Sequence, residues 1–92
     1  MDDALAEVEF LARSANRVTV LQHLSRERYT RGKLGDVTGA SQATLGRILE
    51  DFVDRSWVRH DGNAFVATAT GRLVANSVTD LLESLETETK LR

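Results

Sequence analysis

Between Phe52 and Thr70 the apolar period of this chain changes from helical to strand-like and back, and that change fixes what the remainder can be. Trp57-Val58-Arg59-His60 and Asn63-Ala64-Phe65-Val66-Ala67-Thr68 flank Asp61-Gly62. Asp-Gly between two such runs predicts a tight hairpin, in which both turn positions take positive φ. Helical patterns stand on either side, so the chain is mainly α with one small β-hairpin.

Before the hairpin, Ala4, Leu5, Val8, Leu11, Ala12 and Ala15 recur at spacings of three and four, which predicts an amphipathic helix from about Asp3 to Ala15. Phe10 lies off that stripe and is free to meet another element. Asn16 is read as the cap of a second helix, with Val18, Leu21 and Leu24 on its buried line and an end near Ser25 to Arg28. Tyr29-Thr30 allows at most a short strand. Thr30 then caps a helix from Arg31 to about Val37, with Leu34 and Val37 inward, and Gly39 supplies a left-handed stop.

Ser41 caps the next helix, expected over about 41–55. Leu45, Ile48, Leu49 and Phe52 share one face, which leaves Gln42, Ala43, Gly46 and Arg47 on the other. The hairpin is expected over about 57–68 and a closing helix over about 70–90. Two helices, a helix, a four-residue turn and a second helix, then a hairpin and a long helix is the order of a winged helix-turn-helix of the α+β class, filling residues 1–92 as one domain.

In that arrangement the helix after the turn is the recognition helix, whose first residues enter a major groove. Arg47 is the candidate for guanine O6 and N7, Gln42 for adenine, and Ala43 or Thr44 for a thymine methyl. Ser41, Thr44, Arg31 and Lys33 are candidates for phosphate contacts. Arg59, His60 and Asn63 in the wing reach toward an adjacent minor groove, although Asp61 at the tip opposes phosphate. Plainer readings stand beside these: Gly46 packed against the preceding helix, Arg47 paired with Glu50 or Asp51, Ser41 as a cap alone, and Trp57 as core.

The closing helix carries Val74, Val78, Leu81 and Leu85 at spacings of four, three and four, a short coiled-coil seam expected at a homodimer interface. Leu73 and Leu82 widen the stripe. A twofold dimer would set two recognition helices about 34 Å apart, matching successive major grooves. The plainer reading is that this helix only closes the core of its own chain.

Composition narrows the function classes. A chain of 92 residues buries only about two-thirds of its unfolded surface, which leaves little room for a deep catalytic cavity. The absence of cysteine excludes disulfides, thiolate chemistry and cysteine-ligated zinc. His23 and His60 match no metal spacing, and no phosphate loop or catalytic motif occurs, so neither an enzyme nor a cofactor is expected. No apolar run is long enough for a membrane, and Met1-Asp2-Asp3 is acidic where a secretory signal would be basic, so the expectation is a cytoplasmic protein.

The net charge of −2 runs against nucleic acid, but its distribution does not. From Arg26 to Arg47 the basic residues Arg26, Arg28, Arg31, Lys33 and Arg47 face only Glu27 and Asp36. Acids gather at the ends instead, in Asp2, Asp3, Glu7 and Glu9 and in Asp80, Glu83, Glu86 and Glu88.

The stretch Gly39 to Val74, "GASQATLGRILEDFVDRSWVRHDGNAFVATATGRLV", resembles winged helix-turn-helix transcriptional regulators of the ArsR/MarR-like kind, most closely those of halophilic archaea. The matching pieces are S-x-x-T-L-x-R-x-L at Ser41 to Leu49, Asp54 with Trp57-Val58, the Asp-Gly wing tip, and T-x-x-G-R at Thr68 to Arg72, with the opening "ALAEVEFLARSANRVTVLQHL" extending the likeness. The resemblance implies sequence-specific binding of double-stranded operator DNA as a homodimer. Members of this archaeal type often carry a larger C-terminal region, so it also allows the chain to be the N-terminal domain of a longer regulator. No metal site carries over, because the cysteines of the metal-sensing branch are missing. The competing reading is a winged helix used as a protein-interaction module that never touches DNA.

Overall fold

The computed structural model describes Ala6, Phe10, Leu11 and residues 14–91, with side chains through Ser84. Ala6, Phe10 and Leu11 are helical, in accord with the first expected helix; Ala4, Leu5, Val8 and Ala12 lie outside the described residues. Then follow α1 (Ala15–Arg26), β1 (Tyr29–Thr30), α2 (Arg31–Thr38), α3 (Gln42–Asp54), β2 (Val58–Asp61), β3 (Ala64–Ala67) and α4 (Ala69–Leu91).

Each early helix starts where a hydroxyl meets a free backbone N–H. Ser14, with extended backbone, accepts from Arg17 N at 3.4 Å and caps α1. The cap is therefore Ser14 and not Asn16, which already sits inside the first turn. Thr30 caps α2 by accepting from Lys33 N at 3.2 Å, and Ser41 caps α3 by accepting from Thr44 N at 3.1 Å. Gly39 ends α2 at φ +75°, a conformation that costs other residues about 1–2 kcal/mol.

The Thr38 hydroxyl donates to Leu34 O at 2.6 Å and accepts from Ala40 N at 3.2 Å, so α2 keeps Thr38 and the turn shortens to Gly39-Ala40-Ser41. Leu34 anchors α2 in the core, but Val37 is 40% exposed rather than inward. Helix α2 is only eight residues long, and Leu34 is its one buried residue.

The hairpin turn also differs from expectation. Register pairs Asp61 with Ala64, so the two turn residues are Gly62 and Asn63, and Asp61 belongs to β2. Among the described residues only Gly39, Gly62 and Ser56 have positive φ, so the turn has a positive first position and an ordinary second one, as in type II′. Tyr29-Thr30 pairs with Phe65-Ala64, which makes a three-stranded antiparallel sheet in the order β1-β3-β2. Its middle strand is β3, and all four β3 residues are buried.

One core unites these elements. Leu11, Val20, Leu21, Leu24, Leu34, Leu45, Ile48, Leu49, Phe52 and Trp57 are all buried, with Ala75 and Val78 closing it from α4. Trp57 is core, as its place at the exit of α3 suggests. Phe10 meets Phe52 and Trp57 edge-on, at centroid distances of 6.5 and 6.0 Å. The architecture is a winged helix-turn-helix, with α2 and α3 as the helix pair, β2-β3 as the wing and α4 as the closing helix. No helix among the described residues is long and apolar enough to cross a membrane.

Candidate nucleic-acid interface

Burying Leu45, Ile48, Leu49 and Phe52 dictates which side of α3 meets solvent. At 100° per residue the outward stripe runs through Ala43, Arg47, Glu50 and Asp54, with Gln42 and Gly46 beside it; all but the half-buried Gly46 are exposed. No acid occupies the first turn, where the helix dipole would favour one, and the acids Glu50, Asp51 and Asp54 fall in the second half. The N-terminal half of α3 therefore offers small, polar and basic groups, and the C-terminal half opposes an anionic partner.

Arg47 is exposed and makes no ion pair among the described residues. Asp51, one of its possible partners, pairs instead with Arg17 from α1 at 4.0 Å. Gly46 has ample room: a β-carbon there would meet nothing nearer than Arg31 Nη1 at 3.8 Å, ordinary contact. Packing inside the chain thus does not demand a glycine at 46. Gln42 is exposed, but its amide leans back over Gly35 of α2, with Nε2 3.5 Å from Arg31 O. Ser41 accepts from Thr44 N and donates to Thr44 Oγ1 at 3.0 Å, so it is at least a cap.

Two clefts border the outward stripe of α3, one on each flank. The first, about 220 Å³, lies toward the wing and is lined by Arg31, Gly46, Glu50, Asp54, His60 and Phe65 among others. His60 is steadied there by Phe65, its partner across the strands, with centroids 4.7 Å apart. Successive strand residues face opposite ways, so the exposed Arg59 and His60 do not serve the same side of the wing. Asn63 is exposed in the turn and Lys33 on α2. Asp61, whose charge opposes phosphate, is met by Arg28 at 3.5 Å. On the other edge of the sheet, Tyr29 is held above its ordinary pKa, first by its hydrogen bond to Glu27 and then by desolvation and the Glu27 charge.

The second cleft, about 270 Å³, lies on the α1 side and is lined by Ser14, Arg17, Thr44, Arg47, Ile48 and Asp51. Thr44 and Arg47 are sequence candidates; Ser14 and Arg17 are not. A cap motif two residues before Asn16 was the available signal for Ser14. Nothing in the sequence links Arg17 to a carboxylate 34 positions away.

On the closing helix the expected seam divides. Val78 is 5% exposed and belongs to the chain's own core, Val74 is half-buried, and Leu81 is 45% exposed. Leu73 and Leu82 are exposed too, while the Leu85 side chain lies outside the described residues. The start of α1 and the Val78-Leu81-Leu82 side of α4 form an apolar cleft of about 340 Å³. Gln22 Nε2 bridges the same two helices by donating to Thr79 Oγ1 at 3.0 Å.

Residues 5–90 match the family model described as the HVO_A0261 N-terminal domain. The chain belongs to this family. None of the curated proteins matches it. Among solved structures, the domain superimposes on the MarR family protein Rv2887 of Mycobacterium tuberculosis with a TM-score of 0.77 at 16% identity, over 96% of this chain and 68% of that one. ZitR of Lactococcus lactis gives 0.70 at 18% identity, over 85% of this chain and 57% of that one. An ArsR family transcriptional regulator, RHA00566, gives 0.60 at 15% identity, over 95% and 94%. These likenesses establish the winged-helix fold. The domain spans between about three-fifths and two-thirds of the length of the first two.

Proposed function

We propose that the chain is the DNA-binding part of a transcriptional regulator, which lays the N-terminal half of α3 in a major groove of operator DNA and acts as a homodimer. The observation that carries this reading is the outward face of α3. Its first two turns are exposed, free of acid and free of large apolar side chains, and they end on Arg47, which has no ion pair among the described residues. A groove about 12 Å wide admits such a face, and a protein-binding helix would present apolar anchors instead. The proteins of like fold include two named as members of the MarR and ArsR families, the second a transcriptional regulator by name.

In this reading Arg47 contacts guanine and Ala43 or Thr44 a thymine methyl. Arg31, Lys33 and Ser41 hold phosphates, with Arg59, His60 and Asn63 of the wing at the edge of the site. Arg28 offsets the Asp61 charge that would otherwise repel the wing from the backbone. Exposed Leu73, Leu81 and Leu82 of α4 supply the apolar surface for the second copy.

The test is selection from a random duplex pool at low and high potassium salt. Recovery of a two-half-site sequence, with centres about 34 Å or a multiple apart, supports a dimeric regulator. Recovery of nothing at either salt overturns DNA binding and transfers the function to protein association through α4.

A further inference from the structure

We propose that the cleft between α1 and α3, lined by Ser14, Arg17, Thr44 and Arg47, is a seat for a DNA backbone phosphate on the flank of the recognition helix away from the wing. The proposal rests on the duplex reading above and adds a contact on α1 to those on α2, α3 and the wing.

The cleft is arranged before any ligand arrives. Arg17 Nη1 donates to Phe10 O at 3.0 Å, and the guanidinium carbon lies 4.1 Å from the centre of the Phe10 ring. The Arg55 guanidinium stands over the same ring at 3.7 Å, so Phe10 is fixed by cations as well as by Phe52 and Trp57. A guanidinium carries five N–H donors, and these contacts leave several unused. Its carboxylate neighbour is loose: Nη2 stands 4.0 Å from Asp51 Oδ2, beyond hydrogen-bond range, and the two side chains are 25% and 46% exposed. A phosphate oxygen entering there would find Arg17 already oriented.

The hydroxyls add donors. Ser14 accepts from Arg17 N in its capping role and keeps its own O–H for the cleft. Thr44 receives a hydrogen bond from Ser41 Oγ, so its O–H is also available to donate. Arg47 sits at the rim, where the cleft passes into the outward face of α3. Arg17 and the two hydroxyls thus supply the donors for a phosphodiester oxygen, with the Arg47 charge adding to the positive field at the rim and Asp51 as the one opposing carboxylate.

Position supports the same partner. Around the axis of α3, Thr44 and Asp51 fall on the opposite side of the outward stripe from Gly46 and Val53, which border the cleft holding Arg31 and His60. A helix in a major groove runs between two phosphate backbones, and these two flanks are where they would lie.

The experiment titrates the full chain, as parent, Arg17→Gln and Asp51→Asn, into a labelled duplex of mixed sequence between about 50 and 200 mM KCl. Arg17→Gln should weaken binding about three- to tenfold at the lower salt, and should flatten the slope of log affinity against log salt by about 0.9, without altering sequence preference. Asp51→Asn removes the same ion pair but should tighten binding, which no loss of folding can imitate. Parent binding with both variants unchanged, or with both weakened at an unchanged slope, overturns the phosphate seat and leaves the duplex reading standing. No binding by the parent at any salt overturns both.

Discussion

Gly71 lies against the main chain of Trp57 so closely that a β-carbon at 71 would overlap the Trp57 carbonyl oxygen and come 2.9 Å from its carbonyl carbon. The same carbonyl accepts from Thr68 N at 2.8 Å, and the Thr68 hydroxyl donates to Ser56 O at 2.7 Å while accepting from Gly71 N at 3.1 Å. Ser56 itself takes φ +63°, a left-handed residue between the end of α3 and the wing. Helix α3, the base of the wing and α4 therefore meet at one backbone knot, and the T-x-x-G-R pattern at Thr68 to Arg72 is its sequence trace.

Gly71→Ala should accordingly be severe. The clash is with main chain held by hydrogen bonds, so relief requires α4 to move as a whole. Destabilisation of about 2–3 kcal/mol is expected, a fall in melting temperature of roughly 10–20 °C for a domain of this size. Thermal unfolding followed by circular dichroism measures it, and a melting temperature within two or three degrees of the parent would mean that α4 is not locked there.

The knot also marks where sequence reading succeeds and where it stops. Helix periods, the caps Thr30 and Ser41, the left-handed Gly39 and the hairpin's place are local chemistry, and they are legible in a window of a dozen residues. The turn slipped by one residue, from Asp61-Gly62 to Gly62-Asn63, because both dipeptides are hairpin signals, one for type I′ and one for type II′, and only the pairing of β2 with β3 chooses between them. Val78 went to the core for a similar reason: whether a heptad residue faces its own domain or a second copy depends on where α1 lies. The cleft on the α1 flank of α3 was hidden because Arg17, Thr44 and Asp51 come together only after α1 and α3 have packed.

That division of α4 makes the dimer testable. Leu81→Glu places a charge at a residue that is 45% exposed in the single chain, so stability should change by no more than about 0.5 kcal/mol. Buried against a second copy the same charge would be uncompensated, and the proposed dimer should fall to monomer in sedimentation velocity. Val78→Glu should instead unfold the chain, since Val78 is 5% exposed. A folded Leu81→Glu variant with the parent's mass would remove this surface from the interface.

Gly46 separates the demands of folding from those of the ligand. Alanine at 46 would meet only the tip of Arg31 at 3.8 Å, and it suits a helix interior better than glycine by about 1 kcal/mol. Gly46→Ala should therefore raise the melting temperature by roughly 4–8 °C. If α3 lies deep in a groove, the added methyl should at the same time weaken duplex binding. Higher stability with undiminished affinity would show that DNA does not approach this part of the helix.

Arg47 carries the claim to sequence specificity. Exposed, lacking an ion pair among the described residues and one turn into α3, it contributes little to folding, so Arg47→Ala should keep the parent's melting temperature within about a degree or two. Its loss should remove a bidentate contact to guanine, at about 1–3 kcal/mol, and relax preference at one position of each half-site. This differs from the outcome for Arg17, whose replacement weakens all sequences alike and flattens the salt dependence. Selection with the Arg47→Ala variant, run beside the parent, reads the difference directly: a motif blurred at one base pair assigns Arg47 to base recognition. A motif retained at every position, with uniformly lower affinity, would move Arg47 to the backbone and leave specificity to Ala43 and Thr44.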